Sequence, residues 1–575
     1  AANILFQSDD RGDSWRPISG DLTRQIDRNQ LEVMGKIWSV DAVAKNASTS
    51  LYGNCVALSE SPLKEGFIYV GTDDGLINIT EDGGHTWRKI DKFPGVPEKT
   101  YVSRIITSQH NVNTVYTSFD NHKMADFAPY ILKSTDAGKT WVSIAGNLPA
   151  NGPVLAIAED HVSPDLLFVG TEFGAFFTLD GGKKWIQFKG GLPVIAVRDI
   201  AVQKRENDLV LATFGRGFYV LDDYSPLRIV KKEIFNDNFI FPVKNAMMYI
   251  EATPLGGSRK ATQGESYYTS PNPPLGATFT YYIKDALKTK REIRQEAEKK
   301  KQPIKYPSWD ELRAEDDEEA PAILLIVSDS EGNIVRQLSG VNARGLHRTT
   351  WDLRYPRSVL GTPPSAGSDY EQRGGPFVLP GNYNVTLYKK VDGALTKLAG
   401  PEKFEVYVPG QAEMSALDRI ALVEFQMKVS RLQRALYGSL QIANDVKSRL
   451  GSIKRALQET TAPTEKLLKA TLSIEARLND NLRVLRGDQT LSSRNENAPP
   501  SISSRVYQII GDQSSSTSRP TRTHMDAYKI ASEEFAIELK KLRELVEVDL
   551  SKLEKEMETI GSPWTPGRFP EWKPE

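Results

Sequence analysis

Acid–base chemistry on a glycan needs two carboxylates about 5–10 Å apart, and five acidic residues of this chain stand at candidate places. Asp73, Asp74, Glu172, Asp222 and Asp223 all follow the ends of short apolar runs. Asp73-Asp74 and Glu172 each come directly after a Gly-Thr pair, so their spacing aims them at the same end of a repeating structure. An acidic lip that only binds would have the same spacing, and both readings stay open. Arg104, Arg198 and Arg216 recur in successive segments, as a carboxylate-binding cluster would, but none sits in a recognisable motif for one. The chain has no Gly-rich phosphate loop with a following Lys-Ser/Thr, no His-Glu-x-x-His pair and no Gly-x-Ser-x-Gly elbow. A single cysteine, Cys55, excludes an internal disulfide framework and a Cys-based zinc site. With six histidines in all, neither a metal centre nor a cofactor is expected.

The elements that position these residues come from a repeat. Ser8-x-Asp10-x-Gly12-x-Ser14-Trp15 recurs as Thr80-x-Asp82-x-Gly84-x-Thr86-Trp87 and as Ser134-x-Asp136-x-Gly138-x-Thr140-Trp141. A weaker copy, Thr178-x-Asp180-x-Gly182-x-Lys184-Trp185, has Lys184 in place of the hydroxyl residue. Each copy reads as a hairpin turn. The Asp accepts from the turn's own amides, the Gly supplies positive φ, and the Trp starts the next strand with a large apolar face. Around each box run short β-rich segments, as in 154–190 (VLAIAED, LLFVGT, GAFFTLD, WIQFKG), 55–90 and 102–144. A fifth unit, 194–224, has lost its Trp. Four strands per unit of about 40–50 residues is the pattern of a β-propeller blade. On this reading the box residues hold turns and are structural.

Residues 3–19 supply only the last two strands of such a blade. The expectation is therefore the C-terminal part of a larger propeller, whose N-terminal portion is a partner of these blades. Ala1 to Phe6 has no basic start followed by an apolar core, so it does not read as a signal peptide.

Length and charge bound the rest. At roughly 100–200 residues per domain, 575 residues predict three to five domains. Lys plus Arg is 73 against 74 for Asp plus Glu, a balance unsuited to coating nucleic acid or an acidic membrane surface. No stretch approaches the ~18–20 apolar residues of a membrane span.

The boxes resemble the Asp-box (BNR) repeat of sialidases, xyloglucanases and sortilin-type receptors. Gly71-Thr72-Asp73-Asp74-Gly75-Leu76, Ala128-Pro129-Tyr130 and Gly20-Asp21-Leu22-Thr23 resemble, more closely, large bacterial sortilin-like proteins, often labelled glycosyl hydrolases. The resemblance covers residues 1–226. It implies an extracytoplasmic location: periplasm, outer-membrane surface or secreted.

Downstream, residues 227–410 alternate apolar and polar with Pro and Gly turns, and predict an immunoglobulin-like β-sandwich. Trp351 and Tyr383 are either core residues or glycan-stacking aromatics. A charged insertion at about 286–319 reads as a solvated helix. Residues 411–575 predict a helical bundle with a C-terminal strap. Its stripes are Phe425 to Leu457; then Leu468, Leu472, Leu478, Leu482 and Leu485; then Tyr528 to Leu553.

The fold class expected is thus mainly β: propeller blades, then a sandwich, then helices. The expected function is a binding or assembly protein recognising a protein or glycan at a bacterial cell surface. A glycoside hydrolase working in the propeller channel is the alternative.

Overall fold

The computed structural model describes residues 2–45, 52–251, 270–300, 306–359, 375–410, 414–514, 516, 518–572 and 574. They form two compact units, Ala1–Lys232 and Glu233–Glu575.

In the first unit each Asp-containing turn is closed by its own hydrogen bonds. Asp82 accepts from the Thr86 amide (2.9 Å) and hydroxyl (2.7 Å), while the Thr80 hydroxyl donates to Asp82 and accepts from the Gly84 amide (both 2.8 Å). Asp136 repeats this with Thr140 and Ser134, and Asp10 with Ser14 and Ser8. Asp180 keeps only the amide bonds, from Lys183 (3.0 Å) and Lys184 (2.9 Å), together with the Thr178 hydroxyl (2.7 Å), because Lys184 has no hydroxyl to offer. Gly84 is required twice over. Its φ is +97°, and a Cβ there would meet the Ile18 carbonyl oxygen at 2.3 Å.

The turns at Asp82, Asp136 and Asp180 join the third and fourth strands of antiparallel meanders. Cys55–Glu60, Ile68–Thr72, Ile77–Thr80 and Arg88–Ile90 pair in sequence order. The sets Tyr101–Thr107 to Val142–Ser143 and Val154–Glu159 to Trp185–Gln187 do the same. Val197–Gln203, Asp208–Thr213 and Phe218–Leu221 make a three-stranded sheet, and Phe6–Gln7 with Arg16–Pro17 a two-stranded one. Neighbouring sheets share apolar cores. Ile105 packs with Tyr69 and Ile79 of the sheet before it, and Ile157 with Tyr116 and Ile131. Two tryptophans tie their sheets to the preceding ones: Trp87 Nε1 donates to the Ile18 carbonyl at 3.1 Å, Trp185 Nε1 to that of Ile144 at 2.8 Å. The arrangement is that of propeller blades packed face to face.

In the second unit, two sheets enclose one core. One has the order Phe239–Ile240, Ala277–Ile283, Gly345–Trp351. The other has the order Ala246–Met247, Ala394–Tyr407, Gly381–Val391, Ala322–Asp329, Ile334–Gly340, and its first pair runs parallel. Phe279, Tyr281 and Trp351 pack against Leu325, Val385 and Phe404. Trp351 and Tyr383 are buried and meet edge to face at 5.4 Å, so they are core residues rather than a glycan platform.

The charged insertion forms two capped helices, Lys290–Lys299 and Trp309–Asp316, joined by a forked pair from Arg294 to Glu315 at 2.7 and 2.8 Å.

Helix Ala416–Gln458 buries Phe425, Val429, Leu432, Leu436, Val446, Leu450 and Ile453 on one stripe. Glu465–Arg486 corrects the expected pattern: Leu468 and Leu472 are exposed, and the buried stripe is Leu467, Thr471, Ile474, Leu478, Asn481 and Leu485. Two polar residues hid this face. Thr471 bonds the Leu467 carbonyl at 2.7 Å, and Asn481 Nδ2 bonds the Glu538 carbonyl at 2.9 Å, so neither leaves that hydrogen-bonding capacity unused in the core. After Ile502–Ser514, the last long helix runs Arg522–Glu544, passes through a π-helical turn at Leu545–Leu550 and continues as Ser551–Thr559.

Candidate functional site

The carboxylates that the sequence singles out have separate fates. Asp74 is fully buried; it accepts from the Thr72 hydroxyl and, at 2.7 Å, from the Arg24 amide, and its own carbonyl accepts from Arg24 Nε at 2.8 Å. It pins the segment around Arg24 to the hairpin that follows Thr72. Asp73 is partly buried and accepts three bonds: from the Gly53 amide (3.0 Å), the Asn54 amide (2.7 Å) and Asn54 Nδ2 (2.9 Å). Asp223 accepts from the Ser225 amide (3.2 Å) and hydroxyl (2.6 Å) at the start of a short 3-10 helix, Ser225–Ile229. Glu172 is different. Its side chain is partly exposed and lies 3.6 Å from Arg198.

Arg198 opens toward a further contact, with its guanidinium 5.4 Å from the Phe214 ring. Its neighbour Asp199 pairs with Arg104 at 2.5 Å. This second pair has a register explanation. Each first strand carries a bulge, and the residues just after it, Ala57, Arg104, Ala156 and Asp199, occupy equivalent positions in four successive sheets. Arg104 therefore reaches Asp199 past the sheet between them, where the equivalent residue is the small, buried Ala156. Two first strands thus contribute Arg104, Arg198 and Asp199 to one partly exposed patch, with Glu172 from the turn after Leu167–Thr171 and exposed Phe214 beside Arg198. Arg216 is exposed in the hairpin after Thr213. The structure brings Arg104 and Arg198 each to a carboxylate rather than to one another.

Two carboxylates escaped the sequence reading. Glu159, buried at the end of a first strand, accepts from the Ser108 hydroxyl (2.9 Å), the Gln109 amide (2.6 Å) and the Tyr116 hydroxyl (3.1 Å), and so ties two sheets together. Asp160 is fully buried. It takes a forked pair from Arg228 (2.9 and 2.8 Å), the Tyr224 hydroxyl (2.5 Å) and the amides of Val162 (3.0 Å) and Ser163 (2.7 Å). Burial pushes its carboxyl up, and the Arg228 guanidinium and Tyr224 hydroxyl outweigh it, so its pKa falls below the ordinary value. The only signal for either was an acidic pair ending an apolar strand.

Burial, with nearby Asp21 and Asp73, pushes the Cys55 thiol up to about 11, which keeps it protonated and a poor nucleophile at neutral pH. Among the described residues no cluster of His, Cys, Asp and Glu is set to hold a metal ion, and no helix is long and apolar enough to cross a membrane.

No protein-family model and no curated protein matches the chain. Several solved structures are similar at low scores. YCF48 from Cyanidioschyzon merolae is 16% identical with a TM-score of 0.22, over 29% of this chain and 52% of that one. An ancestral GH74 enzyme is 10% identical with a TM-score of 0.25, over 62% and 41%. A GH74 xyloglucanase from Xanthomonas campestris is 11% identical with a TM-score of 0.23, over 60% and 38%. The chain spans about half or less of the length of these structures.

Proposed function

We propose that this chain is a binding and assembly protein, whose Asp-box blades form the C-terminal part of a larger sortilin-like propeller that recognises a protein or glycan partner. One observation carries the reading: none of the candidate carboxylates is both exposed and unengaged. Asp74 is buried, Asp73 is saturated by donors from Gly53 and Asn54, and Glu172 and Asp199 lie against arginines. A general acid needs a raised pKa and a general base needs an open approach to water or substrate. The patch of Arg104–Asp199 and Arg198–Glu172 with Phe214 suits recognition better, since mixed charges beside an exposed aromatic are common on binding surfaces. The proposal extends to an immunoglobulin-like character for the two-sheet sandwich, on the strand spacing of residues 227–410, and to an extracytoplasmic site of action, on the resemblance of residues 1–226.

The competing reading is a glycoside hydrolase with Glu172 as one carboxylate, favoured by its partial exposure. Reducing-sugar release from plant, algal and bacterial polysaccharides separates the two. Binding without turnover above background is expected. Turnover that disappears in Asp73→Asn or Glu172→Gln would replace the proposal with the hydrolase.

A further inference from the structure

The described residues of the second unit line a cavity of about 550 Å³. That volume lies within the range of small-molecule sites, about 300–1,000 Å³. Its wall is mixed: Met248 and Phe377 from the sandwich, Leu422 and Val429 from helix Ala416–Gln458 and Ile510 from helix Ile502–Ser514 make an apolar part, and Gln426, Ser430 and Gln433 are among the polar residues that line the rest. Its charged lining is of one sign. Arg354, Arg357 and Arg419 contribute to it, and among the described residues no Asp or Glu does.

The arginines differ in what holds them. Arg354 lies flat on the Phe377 ring, 3.6 Å from its centroid, and donates to the Gly375 carbonyl at 3.1 Å, so it forms part of the wall. Arg357 is exposed and Arg419 partly so, and both line the cavity.

An independent feature points to a ligand. Gln513 lines the cavity and is only 5% exposed, yet its Nε2 is buried with no hydrogen-bond partner among the described residues. Burying an amide donor without an acceptor is unfavourable, and a ligand oxygen at this place would satisfy it.

We propose that this cavity binds an amphipathic organic anion, a carboxylate on a medium-length hydrocarbon chain. The chain lies along Met248, Leu422, Val429 and Ile510. The carboxylate meets the guanidinium groups of Arg357 and Arg419 in charge-assisted bonds, and the Gln513 amide donates to one of its oxygens. The site lies wholly within the second unit, so this inference stands apart from the reading of the sheets.

The test uses the full chain and isothermal titration with sodium decanoate below its micellar concentration, with decan-1-ol as the uncharged probe. Decanoate should bind one saturable site per chain, at least tenfold more tightly than decanol. The double substitution Arg357→Gln/Arg419→Gln changes exposed or partly exposed groups and should keep the melting temperature, yet weaken decanoate at least tenfold and leave decanol unchanged. Gln513→Leu should weaken decanoate several-fold. Leu422→Trp should fill the chamber and abolish binding of both; if it fails to fold, the arginine pair still decides. No saturable binding of decanoate to the wild-type chain would overturn the proposal. So would equal affinity for decanol, or unchanged affinity in the arginine variant.

Discussion

The sheets inside the first unit and those at its two ends share one plan and differ in what covers them. Leu58, Ile105, Ile157 and Ile200 occupy equivalent first-strand positions that face the preceding sheet. The last three are 2%, 4% and 7% exposed, whereas Leu58 is 58% exposed. The mirror case is the third strand, where Ile77, Ile131 and Ala175 are equivalent to Phe218. The first three are 0% exposed and Phe218 is 75% exposed. The box tryptophans follow the same trend, with Trp185 buried and Trp15 exposed. A strand pattern therefore fixes which face is apolar, but a neighbour decides whether that face is buried. At both ends the described residues leave these apolar faces exposed, and large exposed apolar surface of this kind marks an interaction site.

The largest effects should come from inside the stack. Trp185→Ala removes a buried side chain and the bond to Ile144, and should cost about 3–5 kcal/mol in urea unfolding. Phe218→Ser at the end should change stability by no more than about 0.5 kcal/mol, and a cost as large as that of Trp185→Ala would show that something already covers this face. Asp160→Ala should be comparably damaging, about 3–5 kcal/mol, because Arg228 and Tyr224 would keep their burial and lose their acceptor.

Smaller effects belong to the box turns. The Ser14 hydroxyl and amide, with the Ser8 hydroxyl, hold Asp10 at about 2 against its usual 3.8, and the equivalent bonds from Thr86 and from Thr140 lower Asp82 and Asp136. A carboxylate depressed on folding contributes stability above its unfolded pKa and loses it as pH falls through the folded value. The melting temperature should therefore drop as pH is lowered from about 4 toward about 2, and Asp82→Asn with Asp136→Asn should flatten that slope. An unchanged slope would mean that these turns do not couple to the fold.

How much of this could be read beforehand depended on what each signal measures. The repeat was legible because its turn chemistry is local: Asp82 and Gly84 make their turn bonds within four residues. The stripe of Glu465–Arg486 was misread because Thr471 and Asn481 serve as core residues through bonds that only the folded chain reveals. The pairing of Arg104 with Asp199 was illegible for a further reason. It spans 95 residues and depends on the small Ala156 in the sheet between, and no single segment carries that information. Asp73 and Asp74 had the right residue type and spacing for chemistry, but whether an acid is open to a substrate depends on donors such as Arg24 and Asn54 that the pattern does not show.

The measurement that bears most directly on the unpartnered end faces is sedimentation velocity of the full chain across a hundredfold range of micromolar concentration, beside the Leu58→Ser/Phe218→Ser variant. Concentration-dependent association of the wild type that the variant loses, with its melting temperature kept, is the predicted result. A monodisperse wild-type monomer throughout, indistinguishable from the variant, would contradict the account.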